Sequence, residues 1–85
     1  MSKELEIIRK KLLYRASYRG TKEMDILLSS FVKKYIEEFN KKDLLELEKF
    51  LKFEDEKISN YYNFNITDKE IEKNRISKIF KNFKI

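Results

Sequence analysis

The stretch Met24-Asp25-Ile26-Leu27-Leu28-Ser29-Ser30-Phe31-Val32-Lys33-Lys34-Tyr35, continued to Phe39, decides the fold. Its apolar residues Met24, Leu27, Leu28, Phe31, Val32, Tyr35 and Phe39 recur at i, i+3, i+4 and i+7, the spacing of one α-helical face. Each such side chain contributes on the order of 1.5–3 kcal/mol when fully buried, so this helix is expected to be the central beam of the core. An aromatic stripe at helical spacing is read as core and not as a cofactor site.

Immediately upstream, Tyr18-Arg19-Gly20-Thr21-Lys22-Glu23-Met24-Asp25 contains the single glycine of the chain. Gly20 is expected to turn a helix-to-helix corner in a left-handed conformation. Thr21 reads as an N-cap, and Glu23 and Asp25 put negative charge where the helix dipole favours it. Two residues apart on a helix, those carboxylates point to different sides and do not converge as a catalytic pair. Arg19 opposes the same dipole. It is expected to stand exposed on the turn, where its loss would change stability by no more than about 0.5 kcal/mol. Its planar guanidinium suits a carboxylate or phosphate of a partner. Arg19, Gly20, Glu23 and Asp25 are therefore the candidate partner-binding residues. Arg15 either joins their charged display or simply faces the C-terminal dipole of its own helix.

Farther upstream, Leu5, Ile8, Leu12 and Ala16 predict a helix from about Ser2 to Ala16, widened by Ile7, Leu13 and Tyr14, with Tyr14 at the core edge. Downstream, Asn40 reads as a left-handed cap closing the second helix. Asp43 with Glu46 reads as the capping pair of a third, with Leu44, Leu47, Phe50 and Leu51 turned inward. After the acidic break Glu54-Asp55-Glu56, one or two helical turns cover Lys57 to Tyr62, with the hydroxyls of Tyr61 and Tyr62 in water. Thr67-x-x-Glu70 reads as a capping box that opens a last helix, whose apolar positions are Ile71, Ile76, Ile79, Phe80 and Phe83. Lys78, Lys81 and Lys84 give that helix a basic side; it is expected to dock on the bundle, with membrane-surface attachment as the alternative. The sum is an all-α protein, a single small five-helix bundle over residues 1–85, expected to be a monomer.

Composition agrees. Charged residues make up 41% of the chain, proline is absent, and long helix formers dominate. Cysteine and histidine are also absent, which excludes a disulfide-stapled fold and removes the commonest general base, the thiol nucleophile and the usual zinc ligands other than carboxylates. Glu54 to Glu56 lacks the spacing of a cation-binding loop, and there is no glycine-rich phosphate loop. Binding, and not catalysis, is the expected activity. No apolar run is long enough to cross a bilayer, and Met1-Ser2-Lys3-Glu4 begins a charged helix and not a signal peptide. An intracellular protein is expected. The net charge of +5 raises nucleic-acid binding, but 15 acidic residues interleave with 20 basic ones and no helix is cleanly single-signed.

Leu13-Tyr14, then Arg19-Gly20-x-x-Glu23-x-Asp25, then Leu28 and Phe31 together resemble the signature of the succinate dehydrogenase flavinylation factors. These are small FAD assembly factors of bacteria and mitochondria. The likeness runs from about Leu5 to Tyr62, while the last helix matches in character only. Tyr61 stands where the family usually carries a tryptophan, and Thr21 where an apolar residue often follows the glycine. The resemblance implies an all-α assembly factor of the bacterial cytoplasm or mitochondrial matrix, and not an enzyme. It implies binding to the flavoprotein subunit of succinate dehydrogenase, or of fumarate reductase, and promotion of covalent FAD attachment to a histidine there. The subunit forms the bond itself, and FAD is not expected to be held by this chain alone, which has no dinucleotide fold. Arg19, Gly20 and Glu23 would make the partner contact, with Asp25 beside them. Two readings stand against it: a small basic helical nucleic-acid-binding module, and a generic protein-interaction module.

Overall fold

The computed structural model describes residues 3–85, and all regular structure among them is helical. Helix α1 covers Lys3–Ser17, α2 Lys22–Tyr35, α3 Lys41–Leu51, α4 Asp55–Phe64, α5 Lys69–Lys73 and α6 Arg75–Lys81. The expected all-α class holds, but the described residues form six helices and not five. Met1 and Ser2, where the first helix was expected to begin, lie outside the described residues.

Helix α2 is buried along the face that its spacing predicts, through Met24, Leu28, Phe31 and Val32, with Leu27 and Tyr35 packed at its edge; Phe39, expected on the same helix, is buried beyond its end at Tyr35. Phe31 is wholly enclosed: its ring centroid lies 5.2 Å from those of Tyr35 and Phe80 and 5.4 Å from that of Phe83. Helix α1 packs on α2 and α3, closing one side with Leu12 and Ala16. Helix α6 closes the other, reaching α3 and α4 with Ile76 and Phe80. Tyr14 is not at the core edge. It is 64% exposed, its ring tilted against that of Tyr18 with centroids 4.4 Å apart, because it lies two residues from both Leu12 and Ala16 and so on the opposite side of α1.

The last expected helix is broken at Asn74, which has an extended backbone and lies between α5 and α6. Its side-chain oxygen accepts the Ser77 N–H at 3.0 Å, and its amide donates to the Glu46 carbonyl of α3, also at 3.0 Å. The Ser77 hydroxyl lies against the carbonyls of Ile71 and Asn74. This buried polar knot satisfies the groups freed by the break, which an apolar core would leave unpaired at a cost. The start of α5 is shifted by one residue from expectation: Asp68, not Thr67, is the N-cap and accepts the Ile71 N–H at 3.0 Å. Asn40 also changes role. It is the N-cap of α3 in a reciprocal capping box with Asp43, and not the left-handed end of α2.

A chain with one glycine cannot end its helices on glycine caps, and here the orphan carbonyls are met from elsewhere in the sequence. The last carbonyls of a helix lack intrahelical partners and carry the negative end of its dipole, so a cation suits them. Arg9 of α1 donates to the Ile36 carbonyl at the end of α2 (3.2 Å). Arg19 serves the end of α3, as described below. Lys81 of α6 donates to the Tyr61 and Tyr62 carbonyls at the end of α4, at 2.9 and 3.1 Å. The left-handed cap of α4 is Asn65, with φ of 61°. Tyr61 and Tyr62 were expected to keep their hydroxyls in water. Instead they donate to the carbonyls of Ser77 (3.1 Å) and Phe83 (2.6 Å), binding α4 to the C-terminal segment.

Candidate partner-binding site

Between Ser17 and Lys22 the chain turns from α1 into α2, and the turn is fastened to the junction of α3 and α4. Arg19 supplies most of the fastening. Its Nη1 donates to the Leu51 carbonyl at 2.6 Å, its Nη2 to the Phe53 carbonyl at 2.8 Å, and its Nε to Asp55 Oδ1 at 2.7 Å. The side chain is only 11% exposed. The expected exposed arginine is thus a clasp inside the molecule. The reason is non-local: the end of α3 packs beside this corner and offers carbonyls that no residue of α3 can satisfy. Its removal would leave those carbonyls and a carboxylate short of partners, so the expected effect of no more than about 0.5 kcal/mol is also corrected, to about 2–4 kcal/mol.

Asp55 completes the clasp. Its second oxygen, Oδ2, accepts the Gly20 N–H at 2.6 Å. Gly20 has no positive φ, so the left-handed turn expected of it is absent. What requires glycine is space: a Cβ built there would lie 2.8 Å from Asp55 Oδ2, and that oxygen's carboxylate is pinned by Arg19. Asp25 turns inward, half-buried, and accepts the backbone N–H of Arg19. Thr21 caps α2 as read, accepting the Met24 N–H at 3.2 Å. Glu23 diverges from Asp25 and is exposed.

The structure therefore brings Arg19, Gly20 and Asp25 together as one internal unit and leaves Glu23 facing outward beside it. Arg15 is not part of this unit. It lies along the α1–α3 contact, 3.9 Å from Glu48 and near Ile8, Leu44 and Leu45. Asp55 was missed in the sequence reading. Within the acidic stretch Glu54-Asp55-Glu56 nothing local distinguishes it, since its role depends on a residue thirty-six positions away.

Beside the clasp, the first turns of α2 and α4 border an open groove of about 600 Å³. Met24, Leu27, Tyr62 and Ile85 supply its apolar lining, and the side chains of Glu23, Asp55 and Glu56 are its acidic ones. Lys57, next in sequence to Glu56, is committed elsewhere: its ammonium is 2.8 Å from Asp68 and 3.0 Å from Glu70. The hydrogen bonds that Lys57 donates to Asp68 and then to Glu70 raise its pKa above the ordinary 10.5, and the bond accepted from Lys57 holds the Asp68 carboxyl below its ordinary 3.8. Among the described residues no group of carboxylates is placed to hold a metal ion, and no helix is long and apolar enough to cross a membrane.

The family model for Sdh5, described as flavinator of succinate dehydrogenase, matches residues 10–84, from the middle of α1 to beyond α6. The chain belongs to the Sdh5 family. Among similar proteins is succinate dehydrogenase assembly factor 2, mitochondrial, of Scheffersomyces stipitis, 45% identical over 47 residues, which is 55% of this chain and 32% of that protein. The Aspergillus flavus protein of the same name is 42% identical over 48 residues, covering 56% of this chain and 16% of the relative. The assembly factor 2-B of Drosophila simulans is 40% identical over 47 residues, covering 55% and 30%. The matched part thus spans about a third or less of each of these mitochondrial relatives. The family match extends through the C-terminal helices, where the sequence reading found likeness in character only.

Proposed function

We propose that this protein is an assembly factor for the flavoprotein subunit of succinate dehydrogenase, and of fumarate reductase where the host makes one, and that it promotes covalent attachment of FAD there. The observation that carries the reading is the Sdh5 family match across residues 10–84. The relatives' names point the same way, each being a succinate dehydrogenase assembly factor. The protein works in the bacterial cytoplasm or the mitochondrial matrix, wherever that subunit folds, and binds no flavin of its own. It is not an enzyme. Its contribution is to hold the subunit in an arrangement in which the subunit's own groups form the flavin bond, the kind of positioning that lowers a barrier without new chemistry.

The working surface in this proposal is the corner of Arg19, Gly20, Glu23 and Asp25. Arg19, Gly20 and Asp25 act by fixing its shape, since their polar groups are engaged within the chain. Glu23, exposed on the groove, touches the partner. Co-expression with a candidate flavoprotein subunit tests the reading, with covalent flavin scored by fluorescence of the denatured band. A clear rise in covalent flavin is expected when the protein is present. Equal fluorescence with and without it would overturn the proposal.

A further inference from the structure

The groove beside the clasp carries a charge opposite to that of the whole chain. The protein has a net charge of +5, yet the residues lining this groove include Glu23, Asp55 and Glu56 and neither lysine nor arginine. Asp55 is neutralised by its contact with Arg19 at 2.7 Å. Asp25, half-buried at the start of α2, and Asp55, at the start of α4, stand where the positive ends of the two helix dipoles meet the corner. Glu23 and Glu56 remain as exposed carboxylates that no ion pair among the described residues engages. The same groove has an apolar lining from Met24, Leu27, Tyr62 and Ile85, beside the neutral polar side chains of Ser59 and Asn63.

From this we infer that the groove takes a short segment of the partner flavoprotein that bears a lysine or arginine next to a large apolar side chain. The apolar side chain lies on Met24, Leu27 and Tyr62, and the cation lies between Glu23 and Glu56. The inference rests on the function proposed above and adds to it the chemistry of what is recognised. A cation is favoured because both rim carboxylates are solvated before binding and need not be stripped of an internal partner. Selection against acidic segments follows from the same two charges, since like charges brought together across an interface are strongly disfavoured. Placement at the rim further predicts that these charges act on association rate and salt dependence.

The test uses the intact protein, purified flavoprotein subunit, and short overlapping peptides tiled along that subunit's sequence. Binding is measured at about 50 mM and about 300 mM salt, which span weak and strong screening. Wild type is expected to bind the subunit and to select peptides that pair Lys or Arg with Leu, Ile, Phe or Met. The double variant Glu23→Lys/Glu56→Lys should bind the subunit about 10–100-fold more weakly. Glu23→Gln/Glu56→Gln, which disturbs folding less, should bind with a visibly flatter salt dependence. Subunit binding by both variants at wild-type strength and salt dependence would overturn this inference and leave the assembly role standing. Selection of acidic peptides would also overturn it. Failure of wild type to bind the subunit would overturn the assembly role and this inference together.

Discussion

Around Phe31, helix α2 is held by rings from α6 and the segment that follows it; at its N-terminal corner the chain is held by Arg19 and Asp55. The first region is dry and works by shape, with each aromatic edge meeting several neighbours. The second works by direction, with three guanidinium donors each aimed at one oxygen. Shape-based packing tolerates small shifts and loses stability in proportion to the volume removed. A directional clasp depends on single atoms, and it can sit at the surface, where its partners remain near solvent and near a binding groove. That difference explains how a corner can be both well fixed and available to a partner.

The comparison can be broken at several points. The largest expected effect is at the aromatic centre: Phe31→Ala should lower unfolding free energy by about 3–5 kcal/mol in denaturant titration. A loss below about 1 kcal/mol would mean that the ring is not the keystone described. Next comes Arg19→Ala, expected to cost about 2–4 kcal/mol because two carbonyls and a carboxylate lose their donor. Arg19→Lys should fall between wild type and Arg19→Ala, since one ammonium cannot reach all three oxygens in the fork geometry. Wild-type stability in Arg19→Ala would return Arg19 to the exposed role expected from sequence. Gly20→Ala should cost about 1–3 kcal/mol by forcing the Asp55 carboxylate away. In an Asp55→Ala background the same substitution should be nearly silent, and an unchanged cost there would show that backbone conformation and not contact demands the glycine.

The smallest effect belongs to an exposed pair. Asp68→Asn keeps a side chain able to cap α5 but loses the ion pair with Lys57. Asp68 titrates below 3.8 in the folded protein, so its contribution is present above that value and fades as pH falls through the lowered pKa. Lys57 titrates above 10.5, so its contribution is present below that value and fades as pH rises through the raised pKa. The gap in unfolding midpoint between wild type and Asp68→Asn should therefore be flat near neutrality and close at both extremes. A gap that persists in acid would point to the cap and not the ion pair.

The all-α class and the burial of α2 were legible because they rest on periodicity, which is local. Leu28, Phe31 and Val32 announce themselves by spacing, and so do Leu44 and Leu47. The corner was legible as a place and not as a mechanism. Thr21 caps a helix by contacts three residues long, and sequence found it. Arg19, Asp55, Arg9 and Lys81 act across nineteen or more positions, and no local pattern tells which helix end a cation will meet. The break at Asn74 was hidden for the same reason, because its amide is anchored on Glu46 of another helix. Exposure of Tyr14 could have been read, since the helical wheel already places it opposite Ala16.

Arg19 recognises two of its three partners through main-chain oxygens, those of Leu51 and Phe53. Any amino acid presents such an oxygen. The clasp therefore constrains the course of the chain at the end of α3 while leaving the side chains of that segment free to drift. Asp55 is different, because only a carboxylate can accept both Nε and the Gly20 amide. Between related proteins, positions 19 and 55 should change in concert, whereas the link from 19 to 51 and 53 leaves no trace in paired substitutions. Half of the clasp is thus written in the alphabet of side chains and half in backbone geometry, and comparison of sequences alone reads only the first half.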